Sequence, residues 1–180
     1  MQPSVPPVPR TRHTSRADGF TLVELLITLV IAGLLLALAV PSFNRLMASS
    51  RLTTQANNAV NLLSYARAEA AKRGVNVQIS ANGAITALPV NAASQALTQA
   101  VTMPAGISST SPVATLIATP LGLLRAPSAS TGYAGLVADL SSTALSTDNH
   151  RCIYLYTGTM VASCTDSQTC NASAPNATCK

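Results

Sequence analysis

An uninterrupted apolar segment near the N-terminus limits what this chain can fold into. Residues 20–40 contain a single ionisable side chain, Glu24. A helix of this length spans about 30 Å, which is the thickness of the hydrocarbon core of a bilayer. A lone carboxylate in such a segment is costly in lipid and by default indicates a function. The sequence therefore predicts a membrane-spanning helix over residues 20–40 with a functional carboxylate near its start.

The residues before this segment form a short, Pro-rich, basic leader. It has no apolar stretch of its own, and it ends in Gly19 rather than in the Ala-x-Ala pattern of ordinary secretory cleavage. Its three arginines and one aspartate contribute +2 to the net charge of +5, which leaves about +3 for the chain from Phe20 onward. Because basic residues beside a membrane helix stay in the cytoplasm, the leader is predicted to be cytoplasmic. The basic charge balance is therefore weak support for a nucleic-acid partner.

The order of residues at this junction resembles the class III signal of the type IV pilin superfamily. Gly19 is followed by Phe20, Glu24 lies four residues further on, and Pro41 follows the apolar segment. In that superfamily a prepilin peptidase cuts after the Gly and methylates the new N-terminal Phe. The resemblance implies cleavage between Gly19 and Phe20 and N-methylation of Phe20. It also implies an assembly role for Glu24, whose carboxylate meets the N-terminal amine of a neighbouring subunit, and a helix kink at Pro41.

A second, looser resemblance extends along the chain. Residues 67–77 resemble the end of the long helix and the first strand of the GspH/FimT group of minor pilins. This implies a minor pilin that assembles into or primes a type IV pilus, with the prepilin peptidase and other pilins or pseudopilins as partners. The location implied is the inner membrane, with a cytoplasmic N-terminus and a periplasmic C-terminal domain.

Two alternatives for the function remain open from the sequence. A pseudopilin of a type II secretion system has the same membrane chemistry. A DNA-binding pilus subunit would need a stripe of basic residues, and the exported part beyond the helix offers only Arg125, Arg151 and Lys180. DNA is therefore the least favoured partner.

The expected fold is α+β, with a long N-terminal helix packed on a small antiparallel β-domain that has a disulfide-bonded C-terminus. The predicted segments are a cleaved leader over 1–19, a transmembrane helix over 20–40, an amphipathic continuation over 41–73 and an exported β-rich domain over 74–180. Apolar residues recur at helical spacing in the continuation and predict its buried face: Phe43, Leu46, Met47, Ala56, Val60, Leu63 and Ala70.

Two hairpins stand out in the β-rich part. Alternating residues 75–80 followed by Asn82-Gly83 predict a two-residue turn into a strand over 84–88. Residues 151–164 predict a second hairpin about Gly158, with its inward positions at Ile153, Leu155 and Val161. Prolines interrupt residues 89–131, which indicates short or edge strands and loops.

All four cysteines fall in the last 29 residues, and an even number in an exported segment predicts two disulfides. A hairpin about Gly158 places Cys152 opposite Cys164, so the preferred pairing is Cys152–Cys164 with Cys170–Cys179. A shifted turn would favour Cys164 with Cys170 instead. The spacing lacks the paired C-x2-C of structural zinc sites, so no metal is predicted.

No catalytic constellation is evident from the residues. His150 is the one histidine beyond the leader and is expected in a surface loop, and the exported acids show no paired spacing. No Gly-rich phosphate loop is present. The sequence predicts a protein that is not an enzyme, has no cofactor and acts by assembly.

Overall fold

The computed structural model describes residues 19–80, the backbone of 84–89, and residues 100–179. One helix, α1, spans Leu22–Arg73. The strands follow it in chain order: β1 Val77–Ser80, β2 Ala84–Pro89, β3 Ala100–Thr102, β4 Ile107–Thr110, β5 Thr115–Ala118, β6 Leu124–Arg125, β7 Gly135–Ser142, β8 His150–Tyr156 and β9 Met160–Asp166. The chain divides into two compact units, Met1–Val40 and Pro41–Lys180.

The strands of the second unit form two antiparallel sheets. One has five strands in the order β3-β2-β1-β5-β6, and the other has four in the order β4-β7-β8-β9. The long helix, the antiparallel sheets and two disulfides near the C-terminus confirm the α+β fold that the sequence predicts. Helix α1 ends where the sequence indicates, because Lys72 and Arg73 occupy its last turn and Gly74 follows with a φ of +66°.

Both predicted hairpins form. Strands β8 and β9 pair from His150↔Asp166 to Tyr156↔Met160, with Gly158 at the centre of the turn. Strands β1 and β2 also pair, but Ser80 lies opposite Thr86, whereas a two-residue turn at positions 82 and 83 would place it opposite residue 85. The register is therefore one residue away from the predicted one, and the turn itself lies outside the described residues.

The long strand β7 is absent from the sequence-based prediction. Its residues are buried at seven of eight positions, and only Ser141 is partly exposed. A strand that is covered on both faces has no alternation of apolar and polar residues, so the period-two test does not detect it. Strand β7 lies between β4 and β8, with a β-bulge between Leu136 and Ala138.

The principal core lies between α1 and the sheets. The helix residues buried in it are Leu52, Ala56, Ala59, Leu62, Leu63, Ala66 and Ala70. The prediction of Ala56, Leu63 and Ala70 as buried is confirmed, and Val60 packs against the same cluster. The prediction for Phe43, Leu46 and Met47 is wrong, because the buried stripe of this helix begins only at Leu52 and these three side chains are exposed.

The four-stranded sheet buries side chains on both of its faces. Along β8, Ile153 and Leu155 belong to the principal core, as predicted, and Val161 of β9 packs against it. The alternate β8 residues Cys152 and Tyr154 form a second, smaller cluster that also includes Cys170. The helix therefore covers one face of this sheet, and the C-terminal tail covers the other.

Two arginines join the helical and β parts of the second unit. Arg67 donates from Nε to the Gly122 carbonyl at 2.8 Å and from Nη1 to the Thr159 carbonyl at 2.7 Å. Arg151 of β8 donates to the Asp148 carbonyl at 2.7 Å and to the hydroxyls of Ser49 and Thr53, both at 3.3 Å. These side chains hold the β-turns and β8 against the helix.

Candidate functional site

The predicted scissile bond lies in an accessible, non-helical segment. Gly19 and Phe20 are exposed and precede the first residue of α1. A Cβ built at Gly19 meets no described atom within 4 Å, and its φ is outside the left-handed region. Within the described part of the chain, the fold thus places no demand for glycine at position 19.

Thr21 caps the helix directly after this bond. Its hydroxyl accepts the N–H of Glu24 at 3.2 Å, and its carbonyl accepts the N–H of Leu25 at 3.1 Å. Glu24 is therefore the third residue of the helix, where a carboxylate interacts favourably with the positive end of the helix dipole. The sequence reasoning missed Thr21, although Thr-x-x-Glu before an apolar run is the signature of a capping box.

The helix that follows is apolar and exposed through its first half. From Leu22 to Val40 its large apolar side chains are more than half exposed, and by length and composition this helix can cross a membrane. The Thr28 hydroxyl, a rare polar group here, donates to the Leu25 carbonyl at 2.9 Å. An exposed apolar surface of this length fits anchoring in the inner membrane.

Pro41 lies inside α1 and is the first residue of the second unit. It has no N–H to donate to the carbonyl of Ala37, and its ring crowds that carbonyl. The helix kink that the resemblance implies at Pro41 stays a prediction.

Residues 14–40 match the family model of the prokaryotic N-terminal methylation motif. Residues 14–40 carry a class III prepilin signal. The signal includes the Gly19–Phe20 junction, the Thr21 cap, Glu24 and the apolar half of α1, and it is consistent with the type IV pilin superfamily. A prepilin signal implies processing by a prepilin peptidase and assembly through a membrane-associated helix. No match was found among curated proteins or among solved structures.

The disulfide pairing differs from the predicted one. Cys152 is bonded to Cys170 and Cys164 to Cys179, with Cα–Cα distances of 5.6 and 5.4 Å. Cys152 and Cys164 do lie directly opposite each other, as the hairpin predicts. The predicted pairing Cys152–Cys164 with Cys170–Cys179 is nevertheless wrong, because the tail folds back over the hairpin and brings a new partner to each of these cysteines.

Asp166, the last residue of β9, directs this fold-back. Its carboxylate accepts the N–H groups of Ser167 and Gln168, the Asn176 amide at 2.7 Å and the Thr178 hydroxyl at 3.1 Å. The Asn176 hydrogen bond is the largest of the interactions that lower the pKa of Asp166. The sequence-based prediction treated Asp166 only as an exported acid.

The middle of the tail is fixed by groups of β7 and β8. The Tyr154 hydroxyl donates to the Asn171 carbonyl at 2.8 Å, and the Leu136 N–H donates to the Ala172 carbonyl at 2.8 Å. Burial, followed by the nearby Asp139, raises the pKa of the Tyr154 phenol, so it remains a hydrogen-bond donor. The Asp139 carboxylate accepts the Cys170 N–H at 3.1 Å.

His150 lies in a different place from the one predicted. It begins β8, its side chain is mostly buried, and its Nδ1 donates to Asp139 Oδ1 at 2.7 Å. The expectation of a surface-loop histidine is therefore wrong, since β8 extends one residue further than the predicted hairpin and reaches beside β7. A ring nitrogen of His150, an Asp139 oxygen and the Cys170 Sγ lie within 4.8 Å of one another.

Proposed function

We propose that this protein is a minor pilin, an inner-membrane subunit that assembles into or primes a type IV pilus. The observation that carries the proposal is the prepilin signal placed at the start of an exposed apolar helix. The second unit, with its helix, two sheets and stapled tail, would be the periplasmic part and would face outward in the filament. The N-terminus before cleavage would lie in the cytoplasm.

Glu24 supplies the assembly chemistry in this proposal. After cleavage Phe20 carries the N-terminal amine and directly precedes the helix cap, Thr21. Glu24 lies in the first turn of the helix. A lone carboxylate in lipid carries a high free-energy cost. This cost falls when a neighbouring subunit brings its N-terminal amine into contact, because a paired charge is far less costly to bury than a single one. The pair would also set the axial register between subunits.

We propose assembly rather than catalysis as the mechanism. Among the described residues, Asp139, His150 and Cys170 are the group that most resembles a nucleophile with its base. The Cys170 sulfur is in a disulfide, and Asp139 accepts the Cys170 N–H. Asp139 and Cys170 are thus used to hold the tail on the sheet.

A pseudopilin of a type II secretion system is the second candidate. The prepilin signal supports it equally, because the two classes share this signal and the membrane helix. The discriminating experiment removes the gene from its host and measures two quantities, surface pili by electron microscopy and the proteins released into the medium. Loss of pili with normal protein release into the medium supports the minor pilin. Retained pili with a loss of protein release would overturn that assignment in favour of the pseudopilin.

The DNA-binding alternative finds little support in the described part of the exported unit. Arg151 is buried and donates to backbone carbonyls and to two helix hydroxyls. Arg125 Nη1 donates to the Ala129 carbonyl at 2.7 Å and to Pro127 at 3.1 Å. Guanidinium groups that are committed in this way are poorly placed to neutralise phosphates.

Processing by the peptidase is the direct test of the proposed function. Gly19→Val should fold normally, since position 19 is open, yet remain at full length when co-expressed with a prepilin peptidase. The matched control is Gly33→Val, the same change at another open glycine away from the scissile bond, which should be cleaved. Mass spectrometry of the mature wild type should find N-methylated Phe20. A mature N-terminus at any other residue would refute the proposal.

A further inference from the structure

The four cysteines form one sulfur cluster: Cys152, Cys164, Cys170 and Cys179. Cys152 and Cys164 are directly opposed on β8 and β9, so their side chains leave the same face of the sheet. The Sγ atoms of Cys152, Cys164 and Cys179 all lie within 4.8 Å of one another. The two disulfides are therefore neighbours, and a sulfur of one is close to a sulfur of the other.

The two disulfides differ in their accessibility. Cys152 is fully buried and Cys170 is 7% exposed, whereas Cys164 and Cys179 are only partly buried. A thiol that approaches from solvent reaches Cys164–Cys179 before it reaches Cys152–Cys170. Because exchange requires direct attack on a sulfur atom, access decides which disulfide opens first.

The sulfur that would leave in an exchange has an imidazole ring beside it. A ring nitrogen of His150 lies within 4.8 Å of the Cys170 Sγ, and Asp139 holds the ring through its Nδ1. An imidazole that carries both ring protons would donate to the departing Cys170 sulfur, and a thiol that is stabilised as its thiolate leaves faster. Cys170 is thus the better leaving group of the buried disulfide, and Cys152 is the sulfur that would be attacked.

We propose that the sulfur cluster is a thiol–disulfide exchange site, in which Cys164 attacks Cys152 after a dithiol has opened Cys164–Cys179. In the first step the dithiol gives two electrons and two protons to Cys164–Cys179 and is itself oxidised to a disulfide. Cys164 then loses its proton to solvent, and its thiolate forms a bond with the Cys152 sulfur. The Cys152–Cys170 bond breaks, and Cys170 leaves with the electron pair and takes up a proton.

The product is a single Cys152–Cys164 disulfide within the hairpin, with free thiols at Cys170 and Cys179. Opposed residues of an antiparallel pair have Cβ atoms about 4.5–5.5 Å apart, whereas a disulfide requires about 3.5–4.5 Å, so the two strands must approach each other by up to about 1 Å. One two-electron reduction thereby removes both covalent links between the tail and the sheet. The partner class is a small dithiol or a dithiol oxidoreductase of the exported compartment.

The test uses the full chain in detergent micelles with one equivalent of a dithiol, followed by acid quenching, alkylation and peptide mapping. The exchange predicts alkylation at Cys170 and Cys179 and a Cys152–Cys164 disulfide in most of the reduced molecules. Alkylation at Cys164 and Cys179, with Cys152–Cys170 intact, would overturn the proposal.

Two variants examine the same step without a reductant. Cys179→Ser leaves Cys164 as the free thiol and should convert Cys152–Cys170 into Cys152–Cys164 at neutral pH, at a rate independent of protein concentration. The matched variant Cys164→Ser leaves Cys179 free and should retain Cys152–Cys170. If both variants retain that disulfide, or if Cys164→Ser exchanges as fast through Cys179, the assignment of Cys164 is wrong.

His150 is tested as a positioning residue in the Cys179→Ser background. His150→Gln should slow the appearance of Cys152–Cys164 several-fold, while Tm changes little. An unchanged rate would overturn the role given to His150. Peptide mapping reads out the bonds directly, so the result is independent of whether the protein proves to be a pilin.

Discussion

Glu24 holds two positions at once, one in the helix and one in the prepilin signal. As the third residue of α1 it lies near the positive end of the helix dipole, and its N–H is capped by Thr21. As the single ionisable side chain of the apolar segment it is the group for which we propose a partner in the neighbouring subunit. Its local role is therefore worth little, about 0.5 kcal/mol, compared with the charge pairing proposed for assembly.

We expect Glu24→Gln to separate processing from assembly. The side chain keeps its shape but loses its charge, so the variant should be cleaved after Gly19 and remain in the membrane. Its incorporation into sheared filaments should fall at least about tenfold, since a lost charge pair of 1.4 kcal/mol already gives that factor. Glu24→Asp is the matched control and should retain part of the incorporation. Normal incorporation of Glu24→Gln would contradict the role given to this carboxylate.

At the scale of the elements, α1 contributes to stability only through a part of its length. Leu63 is 1% exposed in the principal core, whereas Leu46 on the same helix is 65% exposed. The periodicity of the apolar residues predicts both as buried. It cannot tell where along a helix the packing partner begins.

The pair Leu63→Ala and Leu46→Ala measures this difference. We expect Leu63→Ala to lower the free energy of unfolding by about 3 kcal/mol, because it removes buried methyl groups and leaves a cavity. Leu46→Ala should change it by less than about 0.5 kcal/mol. Urea unfolding of the full chain in detergent micelles provides the measurement, and equal losses would contradict the observed start of the buried stripe.

Arg151 links β8 to the helix through hydrogen bonds that only a guanidinium can make together. Burial lowers its pKa, which reflects the cost of keeping this cation away from water. We expect Arg151→Met to destabilise the second unit by about 1–3 kcal/mol, because partly buried carbonyls and hydroxyls lose their charged donor. Arg51→Met, at an exposed position of α1, is the matched control and should be nearly neutral. The same urea titration distinguishes them.

The strands show what local sequence does and does not predict. The β8–β9 hairpin follows from alternation and from Gly158, whose φ is +75°. Strand β7 was missed because its position between β4 and β8 buries both faces, which is a property of the sheet and not of the segment. The prepilin signal, in contrast, is local, so Gly19, Phe20 and Glu24 could be proposed from the sequence alone.

At the scale of the whole molecule, the C-terminal tail is the part that the sequence predicted least. Its path depends on Asp166 and on contacts with Tyr154 and Leu136, which are distant in sequence from the tail residues that they hold. Opposition of Cys152 and Cys164 was predicted correctly, but opposition alone does not decide pairing when a third and a fourth cysteine can be brought to the same face.

The stability of the second unit should decline in acid. The pKa of Asp166 is lowered chiefly by Asn176, and that of Glu69 chiefly by its hydrogen bond with Arg73. A carboxyl whose pKa is lower in the folded state stabilises the fold above its unfolded pKa, and this contribution is lost as the pH falls through the folded pKa. We expect Tm to fall as the pH is lowered from about 5 to about 2.5.

The variant Asp166→Asn isolates the contribution of the tail to this decline. It should have a lower Tm than the wild type at about pH 6 and a smaller further loss on acidification, since one titrating group has been removed. Glu69→Gln removes the other group and serves as the comparison. If Tm falls with decreasing pH as steeply in Asp166→Asn as in the wild type, the role given to this carboxylate is wrong.

The order of the disulfides along the chain has a consequence for how the protein withstands proteolysis. The bonds Cys152–Cys170 and Cys164–Cys179 overlap in sequence, so each spans one end of the other. A protease that cuts once anywhere between residues 152 and 179 therefore leaves both fragments covalently joined. With Cys152–Cys164 and Cys170–Cys179, a single cut between residues 164 and 170 would have released the C-terminal peptide and uncovered Tyr154 and Leu136. With the overlapping arrangement, the C-terminal tail stays attached to the four-stranded sheet after any single cleavage between residues 152 and 179.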